Sequence, residues 1–92
     1  MIQSFRNNET KKLWEGAFVR RFGNMEKAAR RKLDMLHHVR TLADLLAPPA
    51  NRLENLAGKR KGQHSIRIND QWRICFFWTK EGPSNVEIVD YH

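Results

Sequence analysis

Ninety-two residues can enclose one small hydrophobic core but not two, so a single domain spanning 1–92 is expected. Hydrophobic residues make up 40% and charged residues 29%, too apolar for a disordered chain, and no run approaches the roughly 18 apolar residues of a membrane span. Seventeen Lys and Arg against ten Asp and Glu leave a net charge of +7, which argues for a polyanionic partner, most often nucleic acid.

The opening MIQSF reads as a short strand. A helix is expected from Glu9 to about Phe18 behind an Asn8 cap, with Leu13, Trp14, Ala17 and Phe18 on one face. Gly23-Asn24 marks a break, and Asn24 suits the cap of a second helix. From there Met25, Ala28, Ala29, Leu33, Leu36, Val39, Leu42, Ala43 and Leu46 recur at spacings of three and four, with an interruption near Thr41. The opposite face carries Lys27, Arg30, Arg31 and Lys32. Pro48-Pro49 ends the helical half.

Beyond the prolines the hydrophobic period changes to two. His64–Ile68, Trp72–Trp78 and Val86–His92 alternate as strands, with turns at Asn69-Asp70 and across Glu81–Asn85. Helices followed by an antiparallel meander predict an α+β fold, with the opening strand and helices packed on one face of a small, mostly antiparallel sheet. If Ile66, Ile68, Trp72, Ile74, Phe76 and Trp78 share the buried face, a three-residue loop pairs Ile68 with Trp72 and Ile66 with Ile74. That register sets Arg67 opposite Arg73 on a sheet face expected to be uncovered. Two like charges across strands are unfavourable alone. They suit a phosphate bound between them; the alternatives are that they splay into water or pair with Glu87.

Charge is uneven along the chain: residues 1–51 hold ten basic and five acidic residues, and 52–92 hold seven and five. The excess in the helical half suits docking on a large RNA surface, through Lys27, Arg30, Arg31 and Lys32. The plain alternative is a solvated helix face. The single cysteine, Cys75, cannot form an internal disulfide and reads as structural. The start MIQSFRNNET lacks the apolar run of a signal peptide, so a cytoplasmic location is expected.

RNA cleavage without a metal needs a base for the 2′-OH proton, cations for the phosphorane and an acid for the leaving oxygen. Asp90-Tyr91-His92 offers titratable groups together, and a histidine exchanges protons near neutral pH. Arg73 and Arg67 have the planar donor geometry suited to phosphate. As pattern alone this is weak, since terminal residues are more often surface and Tyr91 more often packs. His37 and His38 point in different directions on a helix, so no metal or other cofactor is expected. Trp72, Phe76 and Trp78 read as core, and Trp14 as helix–sheet packing. Phe77 shares the parity of Arg67 and Arg73 and is a minor base-stacking candidate.

The stretch Arg52-Leu53-Glu54-Asn55-Leu56-Ala57-Gly58-Lys59-Arg60-Lys61-Gly62-Gln63-His64-Ser65-Ile66-Arg67-Ile68 resembles the HigB-type toxins of the RelE superfamily. So do Trp72-Arg73-Ile74, Val86–His92 and the opening Met-Ile-x-Ser-Phe, so the likeness runs from end to end. It implies a compact toxin of a type II toxin–antitoxin pair that enters the ribosomal A site and cleaves mRNA by metal-free 2′-OH attack. It also implies a HigA-type helix-turn-helix antitoxin that neutralises it, with operator DNA engaged only through that complex and no membrane partner. Carried over by position, Arg73 would stabilise the scissile phosphate. Asp90, Tyr91 and His92 would form the terminal catalytic cluster, and Arg52, Arg60 and Arg67 would contact RNA. Some family members have His where this chain has Glu54, and Lys where it has Ala57. Glu54 is then either a base or a salt-bridge partner, and Lys59 or Lys61 would have to replace the missing cation. The competing function is a catalytically weak inhibitor that binds the ribosome or RNA and merely occupies the A site.

Overall fold

The computed structural model describes residues 1–90. Two helices, α1 (Asn8–Trp14) and α2 (Glu26–His38), precede a four-stranded sheet of β1 (Glu54–Asn55), β2 (Gln63–Arg67), β3 (Trp72–Thr79) and β4 (Gly82–Asp90). The strands lie in chain order and every pair is antiparallel, the α+β arrangement expected from the change of period. The opening segment is not a regular strand. It makes a single parallel bridge, Phe5 to Val86, braced by Gln3 N–H to Pro83 O at 2.8 Å and Arg6 N–H to Val86 O at 3.0 Å.

Helix α1 is shorter than its apolar pattern suggests, and glycine is the reason. Asn7, not Asn8, is the cap: its side chain accepts from Thr10 N–H at 2.9 Å. At the other end Gly16 adopts φ +98°, which residues with a Cβ rarely take. Gly16 N–H then reaches Leu13 O and Ala17 N–H reaches Lys12 O, the paired bonds that close a helix C-terminus. Leu13 is buried, while Ala17 and Phe18 fall beyond the stop and Phe18 is 71% exposed.

The second helix starts after a kink at Gly23, and its cap position is Met25 without a side-chain bond, so Asn24 does not cap it. The interruption near Thr41 is real. Val39 turns extended, and Thr41 opens a separate 3₁₀ turn, Leu42–Leu46, through a reciprocal capping box with Asp44. Two backbone N–H groups, of Thr41 and Arg40, and the Thr41 hydroxyl hold the Asp44 carboxyl below the usual carboxylate range.

Ala29, Leu33 and Leu36 of α2 meet Leu13, Leu45, Ile66, Ile74, Phe76, Val86 and Ile88 in one core on the helix side of the sheet. Phe22 packs edge-on against Trp72 at 5.4 Å. The buried Thr10 hydroxyl accepts from Ile88 N–H at 3.1 Å, tying α1 to β4. Trp78 is only partly buried, and Trp14, packed against the core, also meets the His37 ring of α2 at 5.2 Å. His37 serves the fold: its Nδ1 accepts from Ile2 N–H at 3.1 Å, and burial, then His38 and the chain's amino terminus, push its pKa down.

The β2–β3 register is the one the alternation dictates, with Ile66 opposite Ile74 and Arg67 opposite Arg73. Asn69 Oδ1 accepts from both Gln71 and Trp72 N–H at 2.9 Å and so shapes the hairpin loop. The next turn is tighter than expected. β4 already begins at Gly82, and the residues read as loop belong to a strand whose pairing slips by one between Cys75 and Phe77. Asn85, at φ +50°, takes up that extra residue.

Candidate active site

Arg73 is not on an uncovered face. The connector from Pro49 to Gly62 brings the Arg52 carbonyl and Glu54 against Arg73, which is 5% exposed. Its Nε donates to Ser65 Oγ at 2.8 Å. Its Nη2 donates to Arg52 O at 2.6 Å and to Ser65 O at 3.3 Å, while Nη1 lies 3.8 Å from Glu54 Oε1. A guanidinium removed from water needs such partners to offset its lost hydration and hold it in place. Arg52 offers its carbonyl from a left-handed conformation, φ 45° and ψ 57°, which a non-glycine residue adopts only when its surroundings enforce it.

The sequence set Arg67 opposite Arg73 but not what each would hold. Arg67 pairs with Asp70 at the hairpin tip. Glu87, the alternative partner, is taken by Arg60 at 3.1 Å and Arg6 at 3.6 Å. Arg52, Glu54, Arg67, Asn69, Asp70 and Arg73 line a cleft of about 270 Å³ at this end of the sheet. Three arginines and two carboxylates line it, which leaves the lining net positive. Arg73 has been stripped of water in advance, so its field on a phosphate is less screened than that of a surface arginine.

Other predicted residues are placed elsewhere. Lys59 and Lys61 are exposed and do not line the cleft, while Arg60 is held by Gln63 at 3.2 Å and Glu87. Ala57 is exposed, just before the 3₁₀ turn Gly58–Arg60. Asp90 pairs with Trp72, next to the Arg73–Val89 pair. Paired residues share a face, so Asp90 leaves the sheet on the Trp72 side, and its Oδ2 accepts from Gln71 Nε2 at 3.0 Å. Tyr91 and His92 lie outside the described residues. Cys75 is fully buried, and burial pushes its thiol pKa up, as suits an inert packing residue. Phe77 is partly covered: a Cβ at Gly62 would stand 3.5 Å from its ring.

The four helix cations also divide. Lys27 and Arg31 are exposed beside Trp14 in the groove between the helices. Arg30 is committed to the fold, donating to Leu13 O and Ala17 O at 3.0 Å each, and Lys32 donates to Asn51 Oδ1 at 2.6 Å. The sequence had no means of separating these, because the contacts span 13 to 19 residues.

Comparison with known proteins identifies the family. A sequence model described as the RelE-like toxin of type II toxin–antitoxin system HigB matches residues 3–92. The chain is 46% identical over 69 residues to a protein named Toxin HigB-1 from Vibrio cholerae serotype O1, covering 75% of this chain and 72% of that one. It is 38% identical over 63 residues to an uncharacterized protein of Haemophilus influenzae, covering 68% of this chain and 62% of that one.

Proposed function

The chain belongs to the HigB-like family of RelE-like toxins of type II toxin–antitoxin systems, and on that premise we propose that it is a ribosome-dependent endoribonuclease that cuts mRNA in the ribosomal A site. Membership implies an antitoxin partner. We take that partner to be a HigA-type helix-turn-helix protein, through which the pair would engage operator DNA. Among the described residues no helix is long and apolar enough to cross a membrane, which agrees with work on cytoplasmic ribosomes.

The observation that carries the reading is the buried, fully braced Arg73 in a cleft it shares with Arg52, Arg67 and Glu54. In the proposed step the 2′-oxygen attacks the adjacent phosphorus while a base takes its proton. The phosphorane charge falls on Arg73, and an acid protonates the departing 5′-oxygen, leaving a 2′,3′-cyclic phosphate. Glu54, 3.8 Å from Arg73, would serve as that base. The acid is assigned to the terminal segment Asp90, Tyr91 and His92. The Arg73–Glu54 pair is an ordinary structural ion pair as it stands, and becomes catalytic only with RNA in the cleft.

Mapping mRNA 5′ ends after brief induction tests the proposal. New in-frame cuts within translated messages are expected. Translation arrest without new ends would leave only the second reading, an inhibitor that occupies the A site.

The exposed Lys27 and Arg31 are proposed to dock on ribosomal RNA, with Trp14 between them as the apolar part of that surface. Reversing both to Glu should weaken co-sedimentation with ribosomes and flatten its dependence on salt, because released counterions scale with neutralised phosphates. The same salt dependence in parent and variant would return that face to solvent. Arg30→Glu is expected instead to loosen the α1–α2 junction, since its donors close the end of α1.

A further inference from the structure

Lys32 stands apart from its helical neighbours. Asn51 is fully buried, and its Nδ2 is directed to Leu45 O at 3.2 Å, Ala47 O at 3.3 Å and Met35 Sδ at 3.2 Å. Its remaining acceptor, Oδ1, takes the Lys32 ammonium at 2.6 Å. The next residue is Arg52, whose carbonyl anchors Arg73. Consecutive Cα atoms are roughly 3.8 Å apart, so two adjacent residues fix both cations, one from α2 and one from β3. The Lys32–Asn51 bond therefore adjoins, through one peptide unit, the Arg52–Arg73 bond.

Its surroundings are cationic. Burial first, then Arg31 and Arg67, push the Lys32 pKa down. Among the described residues Lys32 makes no ion pair, and Asn51 accepts only one of three ammonium protons. Holding an ammonium in place near two guanidiniums works against folding, and a bound anion would offset that repulsion. Lys32 does not line the cleft itself, so an anion bound by Lys32 would be distinct from one bound in the cleft.

We infer that Lys32 is a substrate-positioning residue that binds the RNA backbone phosphate flanking the one held by Arg73, carrying the RNA track from the cleft onto α2. This rests on the nuclease reading above, and it removes Lys32 from the surface that docks on ribosomal RNA.

The test compares the parent with Lys32→Gln and Lys32→Arg on ribosomes programmed with mRNA, under single-turnover conditions. Losing one charge-assisted contact of about 1.4 kcal/mol corresponds to a tenfold change in affinity. Lys32→Gln should therefore raise the half-saturating toxin concentration by about that factor while the saturating rate stays within about twofold. Lys32→Arg should restore binding, and sedimentation with mRNA-free ribosomes should not change in either variant. An unchanged half-saturating concentration overturns the inference. So does an equal loss on mRNA-free ribosomes, which would place Lys32 on ribosomal RNA. A fall in melting temperature for both variants without rescue by Arg would make the residue structural only. If the parent leaves no cuts, the nuclease reading fails, and binding of a single-stranded RNA oligonucleotide across salt concentrations decides Lys32 separately. The slope of log affinity against log salt should then fall by about 0.7 in Lys32→Gln; an equal slope, or no binding by the parent, overturns the assignment.

Discussion

Arg73→Ala is expected to abolish growth arrest and lower single-turnover cleavage about 10²–10³-fold, the usual effect of removing a pre-placed cation from a developing oxyanion. The same substitution is expected to lower the melting temperature. Surface placement would have left stability untouched, but Arg73 is buried, and its loss strips Ser65 and Arg52 O of their donor. Each buried group left unpaired costs roughly 1–3 kcal/mol, a large fraction of the stability of so small a domain. Alanine therefore confounds chemistry with folding, and Arg73→Lys separates them. Lysine keeps the charge and one or two donors, yet cannot span Ser65 and Arg52 while facing Glu54. A folded Arg73→Lys protein should cut programmed mRNA at least about tenfold more slowly than the parent. Parental cleavage by that folded variant would remove the fork geometry of Arg73 from the mechanism.

Removing Tyr91 and His92 is expected to eliminate mRNA cleavage while leaving the melting temperature nearly unchanged. Terminal residues make few buried contacts as a rule, so deletion beyond Asp90 is expected to cost little stability. The chemical expectation follows from a division of labour. The cleft holds three arginines with Glu54 and Asp70, the latter paired with Arg67, and Asp90 departs on the Trp72 side, bonded to Gln71. The acid proposed for the 5′-oxygen lies in the terminal segment, where histidine is the side chain that exchanges protons near neutral pH. His92→Gln should slow the saturating rate and flatten its pH profile, with little change in ribosome binding. If the truncated protein cuts at the parental rate, the acid is not in the terminal segment and must be sought within the Glu54 cleft.

Much of the sheet was legible because strand parity is a local and rigid rule. Alternation from Ile66 to Trp78, with three residues between strands, left one register that puts Ile66, Ile68, Trp72, Ile74, Phe76 and Trp78 on one face, and it set Arg67 against Arg73. The break at Thr41 was legible for a similar reason, because a Thr followed three positions later by Asp can satisfy the exposed N–H groups of a new turn. Element ends were less so. Asn7 and Asn8 are chemically equal as caps, and only the course of the chain toward Thr10 selects Asn7. Periodicity carried α1 on to Phe18, although Gly16 already held the means to stop it.

By itself the sequence determined the α+β class, the arginine register, the excess of positive charge and the resemblance to HigB-type toxins. Tertiary structure alone decided which cations are held in place and by what. The connector against Arg73 joins Arg52 to a side chain 21 residues away. Lys32 meets Asn51 across 19 residues, and Arg30 closes a helix 13 to 17 residues before it. No period or propensity encodes such contacts. They arise when buried polar groups must find partners in whatever the packed core brings near, and that requirement turned Arg73 from an expected surface residue into a braced, desolvated one.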